Sequence, residues 1–314
     1  MANSFDPMKR QIHSPLIGLS LALGVISVVI AGFAFFRGSN NTVAGLAEDR
    51  LDNIKKAGVL RVGYGGYPPY TIVGNGGAPP TGFSIDLVDA IASRTSPPFK
   101  LQWQQFSFDT MKADLQADRF DFIADPVFIT VARSADFAFT IPYSYFGIAV
   151  GLVRADDDRF KSFGDLDQPG ITIVLAEGWT SSEYARANLK KPNLRSVPVT
   201  GDATSQLDEV LAGRADVALN DVPTVLQYVR AHPGRVKALW LSSPPSSVPG
   251  AFVLRLSDNS LRAFLNSSLR ALQVDGTLET LDKKWSSLGF FPTITLRPGA
   301  GIVGTTAAIS AGGR

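Results

Sequence analysis

The stretch VLRVG at residues 59–63 is followed, after a loop rich in glycine and proline, by DLVDAIASR at residues 86–94. The first reads as a short buried strand, and the second places apolar residues at helical spacing. Residues 101–106 predict a second strand, residues 109–117 a second helix and residues 121–124 a third strand. Strands that alternate with helices at this interval are typical of βαβ units and a mainly parallel sheet.

The same alternation begins again after residue 170. Strands are predicted at residues 171–175, 196–199 and 217–219, and helices at residues 180–189 and 207–212. This second α/β unit spans about a hundred residues, which is a normal size for a domain.

Two β-favouring runs, residues 143–154 and 250–256, flank the second unit, and two further helices are predicted at residues 261–274 and 277–288. We therefore expect the second unit to be inserted into the first, with the two runs crossing between them as a hinge. The expected fold is α/β with two lobes, each a mainly parallel sheet flanked by helices. The predicted boundaries are residues 51–148 and 250–290 for lobe 1, residues 149–249 for lobe 2 and residues 291–314 for a disordered tail.

The N-terminal segment differs from the rest in composition. Residues 15–36 contain no charged side chain, and Lys9 and Arg10 precede them. A run of this length can cross a bilayer as a helix. It exceeds the roughly 7–15 apolar residues of a secretory signal, which favours an uncleaved signal anchor. A cleaved signal peptide stays open as the alternative, because small-residue motifs end at Ala34 and Ala47.

The positive residues before this segment predict that residues 1–14 stay in the cytoplasm and that everything beyond it is exported. We therefore expect residues 37–50 to be a linker, and the remainder to lie in the periplasm, either released or tethered to the inner membrane.

Charge and residue usage exclude several classes of function. Residues 45–314 carry 27 basic and 27 acidic side chains, a neutral balance that argues against a nucleic-acid binder. The chain has no cysteine, which excludes disulfides and thiolate metal sites. His13 and His232 are isolated, so neither a metal cluster nor a Ser-His-Asp triad is expected. We expect a monomer without metal or cofactor.

Four segments, taken in order, carry a family resemblance. They are RVGYGGYPPY at 61–70 with TGFSIDL at 81–87, DFIADPVFITVAR at 121–133, GWTS at 178–181 and ADVALND at 215–221. The ordered set resembles the family 3, amino-acid type, extracellular solute-binding proteins, which are periplasmic receptors of ABC importers. The resemblance runs from about residue 51 to residue 288. It implies a type II periplasmic-binding-protein fold, in which two lobes on a two-stranded hinge enclose the solute.

Three polar residues are predicted to bind the solute. Arg133 offers a planar fork that can hold a carboxylate by two parallel bonds, and the resemblance gives it the α-carboxylate; an exposed helix-capping arginine is the alternative. Asp221 follows a predicted strand, where ligands gather in α/β sheets, and the resemblance gives it the amino group; a helix N-cap is the alternative. Thr180 lies near a helix start, which suits an anion.

Aromatic residues are predicted to form the walls. Tyr67 and Phe108 fall where the family places residues that sandwich the ligand side chain, although packing in a core is equally open for each. Phe128 stands where the family has serine or threonine, and Trp179 where it has a small residue. The cleft is therefore expected to be more aromatic and poorer in hydroxyl groups than is usual, with Asp125 as a second acid at its rim.

The expected function is a binding module, not an enzyme, that delivers an amino acid or related carboxylate to an ABC permease of the inner membrane. Two alternatives stay open. One is a cyclohexadienyl dehydratase-like enzyme, for which Glu177 is the candidate general acid. The other is a ligand-sensing subunit of a membrane complex.

Overall fold

The computed structural model describes residues 49–198 and 204–287, and those from Arg50 onward belong to one compact unit. The apolar segment at residues 15–36 and the tail at residues 291–314, on which predictions were made above, lie outside this range. Among the described helices, none is long and apolar enough to cross a membrane.

The first sheet belongs to lobe 1 and has six strands. They are β1 (Val59–Tyr64), β2 (Lys100–Gln105), β3 (Phe122–Phe128), β4 (Ala138–Phe139), β5 (Ser144–Ile148) and β11 (Ser246–Leu254). Their order is β2-β1-β3-β11-β4, and β5 pairs with the start of β11. β1 runs parallel to β2 and β3, whereas β11 runs antiparallel to all three of its partners.

Helices cover this sheet and bury its apolar side chains. They are α1 (Arg50–Ala57), α2 (Phe83–Ala92), α3 (Met111–Gln116), α4 (Val131–Ser134), α8 (Asn259–Val274) and α9 (Thr277–Ser287). One core joins Leu60 and Phe122 of the strands to Leu87 and Leu265 of the helices. A second core forms around Phe120, with Leu115 of α3 packed in it.

The second sheet, in lobe 2, has five strands in the order β10-β6-β9-β7-β8. They are β6 (Val150–Arg154), β7 (Thr172–Ala176), β8 (Asn193–Val197), β9 (Val217–Asn220) and β10 (Val236–Leu239), and the helices are α5 (Thr180–Asn188), α6 (Ser205–Leu211) and α7 (Val222–Ala231). β7 is parallel to β8 and β9, and β6 is antiparallel to β9 and β10. Two apolar clusters, containing Val174 and Ile173 respectively, complete this lobe.

The chain crosses between the lobes at two neighbouring places. Ala149, between β5 and β6, is fully buried and has a φ of 60°, a conformation that residues with a side chain rarely adopt. Its amide donates a hydrogen bond to Ser181 Oγ at 3.1 Å. The return crossing follows β10, and there Trp240 also has a positive φ, of 59°. Both crossings are thus sharp bends rather than continuous strands.

This is the two-lobed α/β architecture that the sequence predicts, with three differences in detail. The run at residues 250–256, predicted to cross between the lobes, lies in lobe 1, because the chain returns between β10 and β11 and residues 250–254 already belong to β11. Each sheet is mixed, because the strands at the crossings, β6 and β11, enter antiparallel to their neighbours. The single run predicted at residues 143–154 is two strands, because the bend at Ala149 sends β5 and β6 to different sheets.

Candidate functional site

A cavity of about 500 Å³ lies between the two lobes. This volume falls within the range of roughly 300–1,000 Å³ that is typical of small-molecule sites. Lobe 1 lines it with Tyr67, Phe108, Asp109, Met111, Asp125, Pro126, Val127, Phe128 and Arg133, and lobe 2 with Glu177, Gly178, Trp179, Thr180, Ser181, Pro198, Asn220 and Asp221.

The topology of both sheets explains why these residues meet. Asp125 to Phe128 form the carboxyl end of β3, Glu177 and Gly178 directly follow β7, and Asn220 ends β9. Ligand sites in open α/β sheets form at the carboxyl ends of the strands. The structure therefore brings together all seven site residues predicted from the sequence. They are Tyr67, Phe108, Phe128, Arg133, Trp179, Thr180 and Asp221.

Arg133 lies on α4 and is half-buried rather than an exposed cap. The turn is held by Thr130, whose Oγ1 accepts a hydrogen bond from the Arg133 amide at 3.1 Å. The guanidinium donates from Nη1 to the Phe128 carbonyl at 3.1 Å and has no carboxylate within 4.0 Å among the described residues. Burial lowers the pKa of Arg133, and the charge of Glu183 partly offsets this. The cavity is therefore lined by a cation that makes no salt bridge to the residues that the structure describes.

Asp221 approaches the cavity from the other lobe and is only 2% exposed. It is the N-cap of α7, and its Oδ1 accepts a hydrogen bond from the Thr224 amide at 2.9 Å. Burial raises the pKa of this carboxyl, and the bonds from Thr224 act in the opposite direction. Asp221 is therefore both the N-cap of α7 and a lining residue of the cavity.

The Tyr67 hydroxyl is buried and has no hydrogen-bond partner of normal geometry among the described residues. It lies close to Asp221, whose negative charge adds to burial in raising the pKa of Tyr67. The ring stacks on Tyr70 at 5.6 Å, so one face belongs to the core. The next residue also reaches the other lobe, because the Pro68 carbonyl accepts a hydrogen bond from Gln227 Nε2 at 2.6 Å.

Phe108, Phe128 and Trp179 are half-buried walls of the cavity. Phe108 can lie close to the backbone because Gly65 has no side chain: a Cβ there would stand 2.9 Å from the Phe108 ring. Phe128 packs on Phe146 with 4.9 Å between ring centroids. Thr180 and Ser181 begin α5 beside Trp179 and supply hydroxyl groups to the same wall.

Asp125 was expected at the rim and is instead 1% exposed in the lining of the cavity. It accepts hydrogen bonds from the Gly65 amide at 2.7 Å and from Thr71 Oγ1. Burial raises its pKa to about 6, although both hydrogen bonds favour the ionised form. The prediction that Asp125 lies at the rim is wrong, because Asp125 lies on β3 and that strand is covered on both faces.

Sequence reasoning did not select Asp109 and Asn220, which also line the cavity. Asp109 follows Phe108 in the chain and Asn220 precedes Asp221. Adjacency to a predicted site residue is therefore the sequence signal that could have found them. Among the described residues, no group of three or more His, Cys, Asp and Glu side chains could hold a metal ion.

A smaller cavity of about 210 Å³ adjoins the first. The two share Arg133, Gly178 and Thr180, and the smaller one is also lined by Asp136 and Glu183. The cleft therefore continues past the guanidinium, between α4 of lobe 1 and the start of α5 in lobe 2.

With this geometry in place, comparison with known sequences gives the family. The profile of the bacterial extracellular solute-binding proteins, family 3, matches residues 60–288. The chain belongs to this family. A cyclohexadienyl dehydratase of Pseudomonas aeruginosa is 28% identical over 239 residues, which cover 76% of this chain and 86% of the dehydratase. A probable amino-acid ABC transporter-binding protein of Haemophilus influenzae is 30% identical over 244 residues, 76% of this chain and 89% of that protein.

Solved structures of family members share the fold. The ancestral amino acid-binding protein AncCDT-1, a precursor of cyclohexadienyl dehydratase, has a TM-score of 0.64 and 30% identity, covering 76% of this chain and 99% of its own. A binding component of an ABC transporter from Wolinella succinogenes, complexed with lysine, has a TM-score of 0.63 and 26% identity, covering 73% and 95%. The fold is that of a type II periplasmic binding protein, as predicted.

Proposed function

We propose that this protein binds an amino acid in the cleft between its lobes and delivers it to an ABC importer. The observation that carries the proposal is the pairing of Arg133 in lobe 1 with Asp221 in lobe 2 across one cavity. A half-buried guanidinium without a salt bridge favours a carboxylate ligand, since a buried charge needs a partner. A buried carboxyl on the opposite wall suits an ammonium group. The two together match the head of a zwitterionic amino acid.

The same placement supports closure as the mechanism. Arg133 and Asp221 belong to different sheets, which are joined by bends at Ala149 and Trp240. A ligand that bonds to both residues stabilises the arrangement in which the lobes are close, because only there are both bonds made. An importer can then distinguish the closed, loaded protein from the open, empty one.

Family membership supports a location outside the cytoplasm, and we infer the periplasm. The relatives include a probable amino-acid ABC transporter-binding protein and an L-cystine-binding protein of Escherichia coli. These names support an ABC permease of the inner membrane as the partner that receives the solute.

Tryptophan fluorescence during titration with L-amino acids tests the proposal. Trp179 lines the cavity, whereas Trp103 lies on β2 and is not among the lining residues. A bound amino acid should change the emission, Trp179→Phe should remove most of that change, and Trp103→Phe should leave it. A ligand-induced change that keeps its full size in the Trp179 variant would contradict this site.

A dehydratase is the second candidate, favoured by the relative that carries this activity and by a buried acid in the cavity. Asp125, with a pKa raised to about 6 by burial, is protonated in part near neutral pH, as a general acid must be. Glu177 also lines the cavity, but it is exposed. The binding-protein proposal predicts no phenylpyruvate from prephenate. If the protein forms phenylpyruvate, and Asp125→Asn or Glu177→Gln abolishes that activity, the protein is a dehydratase and the binding-protein proposal is wrong.

A further inference from the structure

We infer that the amino acid bound here carries a cationic side chain, with a planar guanidinium fitting best. The inference rests on the proposed function and narrows its ligand class. It starts from the charges that line the cavity. One cation, Arg133, faces four carboxyl groups, which are Asp109, Asp125, Glu177 and Asp221.

The amino-acid head uses only part of this set. Its carboxylate pairs with Arg133 and its ammonium group pairs with Asp221, so the two charges of the ligand head and the two of the protein cancel. Asp125 is occupied by hydrogen bonds from Gly65 and Thr71. Asp109 and Glu177 are left over, and each is exposed, with a carboxylate that makes no hydrogen bond or ion pair to the residues that the structure describes.

The two remaining carboxylates come from opposite lobes. Asp109 follows Phe108 in lobe 1, and Glu177 follows β7 in lobe 2. Closure of the cleft brings lobe surfaces together, and two like charges that face the same cavity then repel each other. A cation between them replaces that repulsion with attraction. A neutral side chain leaves the repulsion in place, and an acidic one adds to it.

The walls supply a second, independent observation. Phe108, Phe128 and Trp179 line the cavity and are half-buried, so ring surface faces the space that the ligand side chain would fill. Cations bind over aromatic faces, and a guanidinium also stacks on them with its plane.

Titration calorimetry with L-arginine, L-citrulline and L-glutamate tests the inference on the intact protein. Citrulline has the shape of arginine but an uncharged end group, so the pair isolates the charge. We expect arginine to bind at least about tenfold more tightly than citrulline, a difference of about 1.4 kcal/mol. Glutamate should bind more weakly than both.

The double variant Asp109→Asn, Glu177→Gln should reduce the arginine-to-citrulline ratio to below about threefold, because arginine loses its attraction to the two carboxylates and citrulline is no longer opposed by their repulsion. The control Asp158→Asn removes an exposed acid that pairs with Lys237 outside the cavity, and it should keep the ratio. Equal affinities for arginine and citrulline would overturn this inference but not the proposed function. An affinity ratio that the double variant leaves unchanged would do the same. Failure of every L-amino acid to bind would overturn the proposed function with it.

Discussion

The two lobes contribute unequally to the walls of the cleft. Lobe 1 supplies the guanidinium of Arg133 and aromatic rings tied into its core, since Phe128 packs on Phe146 and Tyr67 on Tyr70. Lobe 2 supplies Asp221 and Glu177, together with the starts of α5 and α7. Lobe 2 lines the cavity with carboxyl groups and, among the described residues, with no cation, so the proposed partner of the ligand carboxylate comes from lobe 1. Under the proposed function, Arg133 and Asp221 hold one ligand from separate lobes, which couples ligand binding to lobe closure.

Removing the lobe 1 cation should have the largest effect. Arg133→Ala deletes one partner of a desolvated charge pair, which typically costs about 2–5 kcal/mol of binding. We expect affinity for an amino acid to fall roughly thirtyfold to several thousandfold in calorimetric titrations. Arg119→Ala is the matched control, because Arg119 pairs with Asp114 away from the cavity and should bind normally. Normal binding by Arg133→Ala would show that the carboxylate is held elsewhere.

The buried acid of lobe 1 should produce a pH dependence of folding. The folded pKa of Asp125, about 6, lies above its ordinary 3.8, so the fold favours the protonated form. Its contribution to stability is fully present below about pH 4 and is lost as pH rises towards 6. At roughly 1.4 kcal/mol per pKa unit, the loss is on the order of 3 kcal/mol.

Urea unfolding at several pH values checks this. Other carboxyls titrate over the same interval, so the informative quantity is the difference in unfolding free energy between wild type and Asp125→Asn. That difference should shift against the wild type between pH 4 and pH 6. A difference that is flat over this interval would show that Asp125 titrates near its ordinary pKa in the fold.

On the lobe 2 side, a pair of variants separates two roles of Asp221. Asparagine is as good an N-cap as aspartate, so Asp221→Asn should fold normally and bind ten- to a hundredfold more weakly, about 1.4–2.7 kcal/mol. Asp221→Ala should lose the same binding and also about 1 kcal/mol of stability through the lost cap. Thermal unfolding and titration of both variants check this. If Asp221→Asn binds with the affinity of the wild type, the Asp221 carboxylate does not hold the ammonium group.

The positions of the residues in the two lobes also show which features of the site the sequence could predict. Strand ends and helix starts follow from local patterns, which is why the sequence predicts Asp221 at the end of a strand and Thr180 near the start of a helix. The depth of Asp125 depends on which strands flank β3, and that pairing is not local. The bend at Ala149 was missed for a related reason. Residues 143–154 favour strand throughout, and the positive φ is imposed by the attachment of β5 and β6 to different sheets.

Small-angle X-ray scattering with and without a saturating amino acid tests the central claim most directly. If one ligand bridges Arg133 and Asp221, the radius of gyration of the wild type should fall on binding. Asp221→Asn should compact less at the same ligand concentration, because the bond from lobe 2 is weakened while Arg133 still binds from lobe 1. An unchanged radius at saturation, in a protein that binds its ligand, would contradict closure of the two lobes.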